Sequence, residues 1–538
     1  MSKPTLLPLQ LIRAVWFAGS LALLPVCALS AAPVSAAKGA AGINWNYAAD
    51  DVEVDAAFAL AKTERKPVFL YWGATWCPPC NQVKATLFNR QEFIERSRAF
   101  VPVYIDGDKP GAQKLGARFK VRGYPTMVLF SSDGSELTRL PGEVAASQYA
   151  EVLSLGMAAR RPIKEVVADA RDKARSTSLD AAEWRMLAFY SWATDERQIV
   201  GPSEVPGLLN QFAANCPTRL ADTADRLLLQ ALAANADAKP ASPAVRQRVV
   251  KLLDDSRRSR SQMDLLGNQS ADLAKALSAS GSPERAQLLG HFDAALKRLA
   301  ADASLSRADR LTAQLARVDL ARLDLDKDVR PVIAHHTLRS IREQVARDDR
   351  EITDGYERQA VITTAAYLLA HAGLMTESDQ LLKANLTRSH SPYYLMSALA
   401  SNAKSRGDKA EALRWYGQAH VRSEGAATRL QWGASHLAAL VDLTPDDAPA
   451  IEKLARQIFE EAGKQSDSFY ERSGRSLQRI SSKLLAWSDT AADDKQAQAV
   501  LARLQLQVDG ICGKLPPADT SRGVCNGLLK PAGGVKAS

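Results

Sequence analysis

The stretch FLYWGATWCPPCNQ, Phe69 to Gln82, decides how this chain is read. An apolar run of strand type, Pro67 to Trp72, leads into two cysteines separated by two prolines. Pro78 suits a first helical position, where no backbone N–H is needed and the ring presets φ, and Pro79 continues that turn. Cys77 is thereby expected at a helix N-terminus, where unpaired N–H groups and the helix dipole favour a thiolate. Such placement lowers a thiol pKa from about 8.5 into a range of about 3.5 to 7.5. Cys77 is the expected nucleophile, and Cys80, one helical turn on, the resolving thiol.

Around this stretch, from Ile43 to about Met157, β-type runs alternate with helical ones, an α/β pattern. The helix beginning at the CPPC segment is expected to run towards Arg98. FVPVYID, Phe100 to Asp106, reads as a second strand, GAQKLGARFK as a helix, and TMVLF, Thr126 to Phe130, as a third strand. Asp133-Gly134 is a hairpin signal into ELTRL, Glu136 to Leu140, before a closing helix, Ala145 to Leu155. A zinc site would need two further Cys or His ligands, and the segment 37–160 contains no His and no third Cys. No Gly-rich dinucleotide fingerprint is present, so neither a metal nor a cofactor is expected.

WCPPC, Trp76 to Cys80, and GYPT, Gly123 to Thr126, resemble the active-site motif and the cis-proline loop of the thioredoxin superfamily, over about Ile43 to Leu155. The second motif follows the first at family spacing, with Pro125 lying 45 positions after Cys80. The resemblance implies a thioredoxin-like α/β domain in which Pro125 is cis and faces Cys77. It also implies a substrate-peptide groove near Tyr124 with Trp76 as an aromatic lid. The reaction it implies is exchange with protein disulfides through a mixed disulfide on Cys77. The chain also departs from the family. An ungapped alignment puts Tyr71 where a buried aspartate usually stands and Pro102 at its partner lysine, leaving water or Glu53 as proton relays. Pro-Pro between the cysteines, with no histidine, leans towards a reductase or isomerase. As for periplasmic thioredoxin-like proteins, a membrane thiol electron donor is implied.

The N-terminus carries only Lys3 and Arg13 as charges up to Ala36, followed by an apolar run from Ala14 to Leu29 and small residues. This is the pattern of a cleaved signal peptide, residues 1–36, and Cys27 would leave with it. The mature chain is expected in the bacterial periplasm, its formal charge lowered from +9 to +7 by the loss of Lys3 and Arg13. That excess is spread among 69 basic and 60 acidic residues without a long basic block, which argues against nucleic-acid binding.

Beyond the α/β segment, 37–160, apolar residues recur at spacings of three and four from 161 to 507, the mark of an all-helical region. Ser242-Pro243, Ser282-Pro283, Ser391-Pro392 and Thr444-Pro445 are expected helix starts. Gly373 and Gly407 lie 34 residues apart, the tetratricopeptide period. Ala412, Tyr416 and Ala419, answered by Ser378 and Leu382 in the first copy, fall at that motif's small and aromatic positions. The region therefore resembles tetratricopeptide repeats in part, and a solenoid of helical hairpins is the expected architecture, suited to binding a protein partner. Trp415, Tyr416 and Trp432 read as packing residues unless a groove exposes one, and His335-His336 as structural or surface histidines. Cys512 and Cys525 bracket a Gly/Pro-rich segment in the tail, 508–538, as an expected structural disulfide, and Cys216 is an expected buried thiol.

Two functions fit these features. The first is an exported thiol-disulfide oxidoreductase whose helical region binds a partner or restricts access. The second is a helical scaffold or assembly factor that uses the thioredoxin-like domain mainly to bind.

Overall fold

The computed structural model describes residues 42–142, 144–195, 198–325, 329, 331–490 and 495–530. The expected signal segment with Cys27, and the tail after Lys530, lie outside them.

The sheet is ordered β1-β3-β2-β4-β5, with β1 Asn46–Tyr47, β2 Val68–Gly73, β3 Val101–Asp106, β4 Thr126–Phe130 and β5 Glu136–Leu140. Strand β3 runs parallel to β1 and β2, while β4 pairs antiparallel with β2 and β5. Helices α1 Asp51–Glu64, α2 Pro78–Val83, α3 Gln91–Arg96, α4 Ala112–Arg118 and α5 Ala146–Met157 connect and flank the strands. The strands expected at 67–72, 100–106, 126–130 and 136–140 are all present within a residue at each end. The single helix expected from the CPPC segment to Arg98 is broken. After α2 the backbone widens into a π-type turn, Lys84–Phe88, and Arg90 is extended before α3 begins. The break seats Phe88 on Trp45 and Tyr71, at ring-centroid distances of 5.3 and 4.9 Å.

Strand β2 is apolar without alternation because both of its faces are covered. Val68, Leu70 and Trp72 pack with Val54, Val103 and Leu115 on one side. On the other, Phe69 and Tyr71 join Met127 and Leu129 in a cluster that continues through Ile163, Trp184 and Phe212. Each of these fully buried side chains contributes about 2 kcal/mol by leaving water, and the packing is continuous across Arg160.

From Ile163 onward the regular elements among the described residues are helices, including short 3-10 turns, and Asp195 makes an isolated bridge with Val121. Ser242 and Ser282 cap their helices as expected, accepting from the Val245 and Arg285 N–H groups. Ser391 precedes a helix that starts at Pro392, but its hydroxyl makes no cap bond. Thr444-Pro445 is not a start. Thr444 Oγ1 donates back to the Leu440 carbonyl, and Asp447 caps the next helix, Ala448–Gly463, by accepting from Ala450 N–H. Gly373 and Gly407 take φ of +84° and +79° at the tips of two helix pairs, 355–371 with 375–385 and 392–405 with 409–422. A side chain at either tip would be strained, which explains the 34-residue recurrence of glycine. Cys512 and Cys525 form a disulfide, while Cys216 is buried and unpaired. Among the described residues, no helix is long and apolar enough to cross a membrane.

Candidate active site

Cys77 is the N-cap of α2. Its Sγ accepts the Cys80 N–H at 3.3 Å, and Pro78 and Pro79 occupy the first two helical positions, where that donor would otherwise be orphaned. Both cysteines are free thiols. Asn81 braces the turn by donating from Nδ2 to the Thr75 and Cys77 carbonyls, each at 2.8 Å. The Tyr124–Pro125 peptide is cis. Gln113 holds the Tyr124 side of this loop, donating from Nε2 to the Gly107 carbonyl at 2.6 Å and to the Tyr124 hydroxyl at 3.1 Å. A Cβ on Gly107 would lie 2.1 Å from that hydroxyl, so any side chain there would displace the Tyr124 ring.

Trp76, Cys77, Gly123 and Tyr124 line one cavity of about 940 Å³, while Pro125 lines an adjoining one of about 570 Å³. Cys80 is fully buried behind Cys77, which is itself 3% exposed. Only the first sulfur of the pair is therefore presented to a cavity.

The cover comes from the helical region. Ala74, Trp76, Cys77 and Cys80 form one apolar cluster with Ile362, Leu382, Met396, Leu399, Trp415 and Trp432. Tyr394 stacks on Trp76 at 5.8 Å, and His390 Nε2 lies 3.1 Å from the Thr75 carbonyl. Trp76 is consequently no free lid. Its indole N–H donates to Asp108 Oδ2 at 2.9 Å, and the Arg472 guanidinium sits 4.5 Å above its ring. Asp108 also accepts from the Thr428 N–H at 2.9 Å and pairs with Arg472 at 3.2 Å. Gly425 makes this contact possible: it takes φ +83°, and a Cβ there would meet Asp108 Cβ at 2.5 Å.

Burial under this cover pushes the Cys77 thiol up, and the hydrogen bond to Cys80 adds to it, against the opposing Cys80 N–H and Arg472. The low thiol pKa expected from the helix N-terminus is thus overturned, because desolvation outweighs the dipole. Burial also works against a Cys80 thiolate. The Cys77 thiol, the Ala74 backbone and Lys84 more than offset it and draw Cys80 below its ordinary value. The two sulfurs titrate as a pair, so the first proton lost belongs to both.

Behind Cys80, Tyr71 takes the place of an acid. Its hydroxyl is buried beside Cys80, and desolvation followed by the Cys80 charge keeps it protonated. Glu53 is no relay: it is exposed on α1 and accepts the Ala49 N–H at 2.7 Å. Nor is Pro102 the neighbour of Tyr71. The β2–β3 register pairs Pro102 with Phe69 and places Tyr104 beside Tyr71, stacked at 5.0 Å. Lys84, one turn after Cys80, lies 5.6 Å from the Tyr104 ring. Among the described residues no group of three His, Cys, Asp or Glu could hold a metal ion.

The structure brings the expected Cys77, Cys80, Trp76 and Tyr124 together, with Pro125 in the adjoining cavity, and adds Asp108, Tyr394, Thr428 and Arg472, which the sequence did not point to. Asp108 stands in a turn after a strand, and its partners in the helical region are 320 and 364 positions away.

The sheet, the N-capping cysteine and the cis-proline loop define a thioredoxin-like domain, and residues 54–156 match the family described by that name. Among curated proteins, the thiol:disulfide interchange protein DsbD 1 of Pseudomonas aeruginosa is 29% identical over 113 residues, 20% of this chain and 19% of that protein. Thioredoxin of Mycolicibacterium smegmatis is 34% identical over 77 residues, 14% of this chain and 66% of that protein. A solved structure of DsbH oxidoreductase aligns with 22% identity and a TM-score of 0.20, covering 22% of this chain and 88% of that one. The chain thus spans about a fifth of the length of DsbD 1.

Proposed function

We propose that the chain is an exported, periplasmic thiol-disulfide oxidoreductase, a reductase or isomerase of protein disulfides, re-reduced by a membrane thiol donor. The observation that carries this reading is the free Cys77/Cys80 pair at the start of α2, with Cys77 alone lining a cavity beside Trp76 and Tyr124. Cys77 attacks the substrate disulfide, and Cys80, held at the next turn, resolves the mixed disulfide. Thiol-dependent reduction of insulin by the full chain tests it. Wild type is expected to turn over, and Cys77→Ser to lose activity at least about a thousandfold, the scale on which an essential nucleophile acts. Equal rates in the two proteins would defeat the proposal.

A second reading, a binding module or scaffold, is favoured by one observation: the chain's own helical region occupies the domain face around Trp76. Stable capture of partner proteins by Cys77→Ser at wild-type affinity, without turnover by either protein, would select it.

A further inference from the structure

Five cations line the cavity into which Cys77 opens, namely Arg122, Arg472, Arg475, Arg479 and Lys483, and no Asp or Glu lines it. Four of them lie on the helix Glu471–Thr490 at spacings of three, four and four, so they share one face. Three of these four have carboxylate partners that stand outside the cavity wall. Arg472 pairs with Asp108 and Arg475 with Glu471, while Lys483 shares the single carboxylate of Asp442 with Lys404. Arg479 is different. Among the described residues it has no carboxylate partner; its Nη2 donates to Ser476 Oγ at 3.2 Å, and its side chain is exposed. The surrounding protein, and then the charges of Arg472 and Arg475, push its guanidinium below the ordinary value. A planar guanidinium at the cavity wall among like charges suits bidentate binding of a carboxylate. The opposite wall is aromatic, with Trp76, Tyr124 and Tyr394 beside Cys77.

We propose that this cavity selects disulfides flanked by carboxylates, a specificity that rests on the oxidoreductase reading of the same site. About 940 Å³ lies near the upper end of small-ligand pockets, a size that suits a small disulfide or one extended peptide segment. The Cys77 thiolate attacks one sulfur of the substrate disulfide. That S–S bond breaks as the Cys77–substrate bond forms, and the first substrate thiolate leaves and takes up a proton. Cys80, giving up its own proton, then attacks Cys77 and expels the second thiolate. The substrate gains two electrons, and the chain is left with a Cys77–Cys80 disulfide. Carboxylates beside the disulfide raise the rate by gathering substrate at the cationic helix face before the first attack.

The test is single-turnover oxidation of the reduced full chain, followed by tryptophan fluorescence. The disulfides are oxidised glutathione, neutral hydroxyethyl disulfide, cationic cystamine, and matched peptide disulfides flanked by Asp or by Lys. At low salt the anionic members are expected to react about tenfold or more faster than their cationic counterparts. That ratio should shrink in about 0.5 M salt, where the Debye length falls to a few ångströms. Arg479→Glu should lower the ratio at least about fivefold, and Arg479→Lys should retain most of it. A preference confined to the peptides, or to oxidised glutathione, supports the inference and identifies the source of the carboxylates. Equal rates for anionic and cationic disulfides would overturn the inference alone. No reaction with any disulfide would overturn it together with the proposed function.

Discussion

The α/β domain shapes its dithiol with backbone geometry, whereas the helical region covers it with side chains. In the domain, Cys77 is placed by a strand end, two prolines and the Cys80 N–H, all within a dozen residues. In the helical region, contact is made by His390, Tyr394, Thr428, Trp432 and Arg472, drawn from separate helices and their approaches. The difference teaches that sulfur geometry and sulfur environment have separate origins here. A substitution at the helical contacts should change how acidic and how reachable Cys77 is while leaving its N-cap bond in place.

The largest break in that comparison is expected from Asp108→Ala, which removes the acceptor shared by Trp76, Thr428 and Arg472. Leaving the Arg472 charge unpaired costs about 3 kcal/mol or more, read as a fall in chemical-denaturation midpoint. The same variant should raise the rate of Cys77 alkylation at neutral pH at least about tenfold by partly returning the thiol to water. The pH profile separates access from acidity. A Cys77 thiol pushed up by burial stays protonated in wild type, so alkylation should keep climbing as pH rises past about 8.5, the ordinary value. In Asp108→Ala the profile should level off closer to that value.

The tail provides a contrast within the helical region. Replacing Cys512 and Cys525 together by Ser opens a covalent loop of 13-residue separation and should cost about 3 kcal/mol in thermal or denaturant melts. Disulfide exchange at Cys77 should be unaffected, since the tail packs in a different cluster, with Leu504 and Leu528.

The smallest effect concerns His420 and His436, which face each other at 5.8 Å between neighbouring helices. Burial, and then the His420 charge, pushes His436 down to about 4; burial pushes His420 down as well, against Glu461. With a folded pKa below the unfolded value of about 6.5, the neutral ring favours the fold. That stability is fully present above about pH 6.5 and is lost as pH falls towards 4. The amount is on the order of 2 kcal/mol, and His436→Gln should flatten the corresponding slope of midpoint against pH.

Much of this architecture is readable from local pattern. The strands from Pro67 to Leu140, the N-capping role of Cys77, the caps at Ser242 and Ser282 and the tail disulfide all follow from residues close in sequence. What escapes is what distant packing decides. The π-type turn after Val83 exists to seat Phe88 on Trp45 and Tyr71. Ser391 does precede a helix at Pro392, though without a cap bond, whereas Thr444 turns its hydroxyl back to Leu440 and Asp447 caps the next helix instead. The environment of Cys77 inverts for the same reason: a helix N-terminus is visible in CPPC, but the aromatic cover from Tyr394 and Trp432 is not.

The central claim, that Cys77 is the sulfur through which this chain exchanges disulfides, is tested most directly by trapping. Full-length Cys80→Ala, reduced and then mixed with a peptide disulfide, should accumulate one peptide per chain in disulfide linkage to Cys77, located by intact mass and peptide mapping. An adduct on Cys216, or no adduct under conditions that oxidise the wild-type dithiol, would contradict the account.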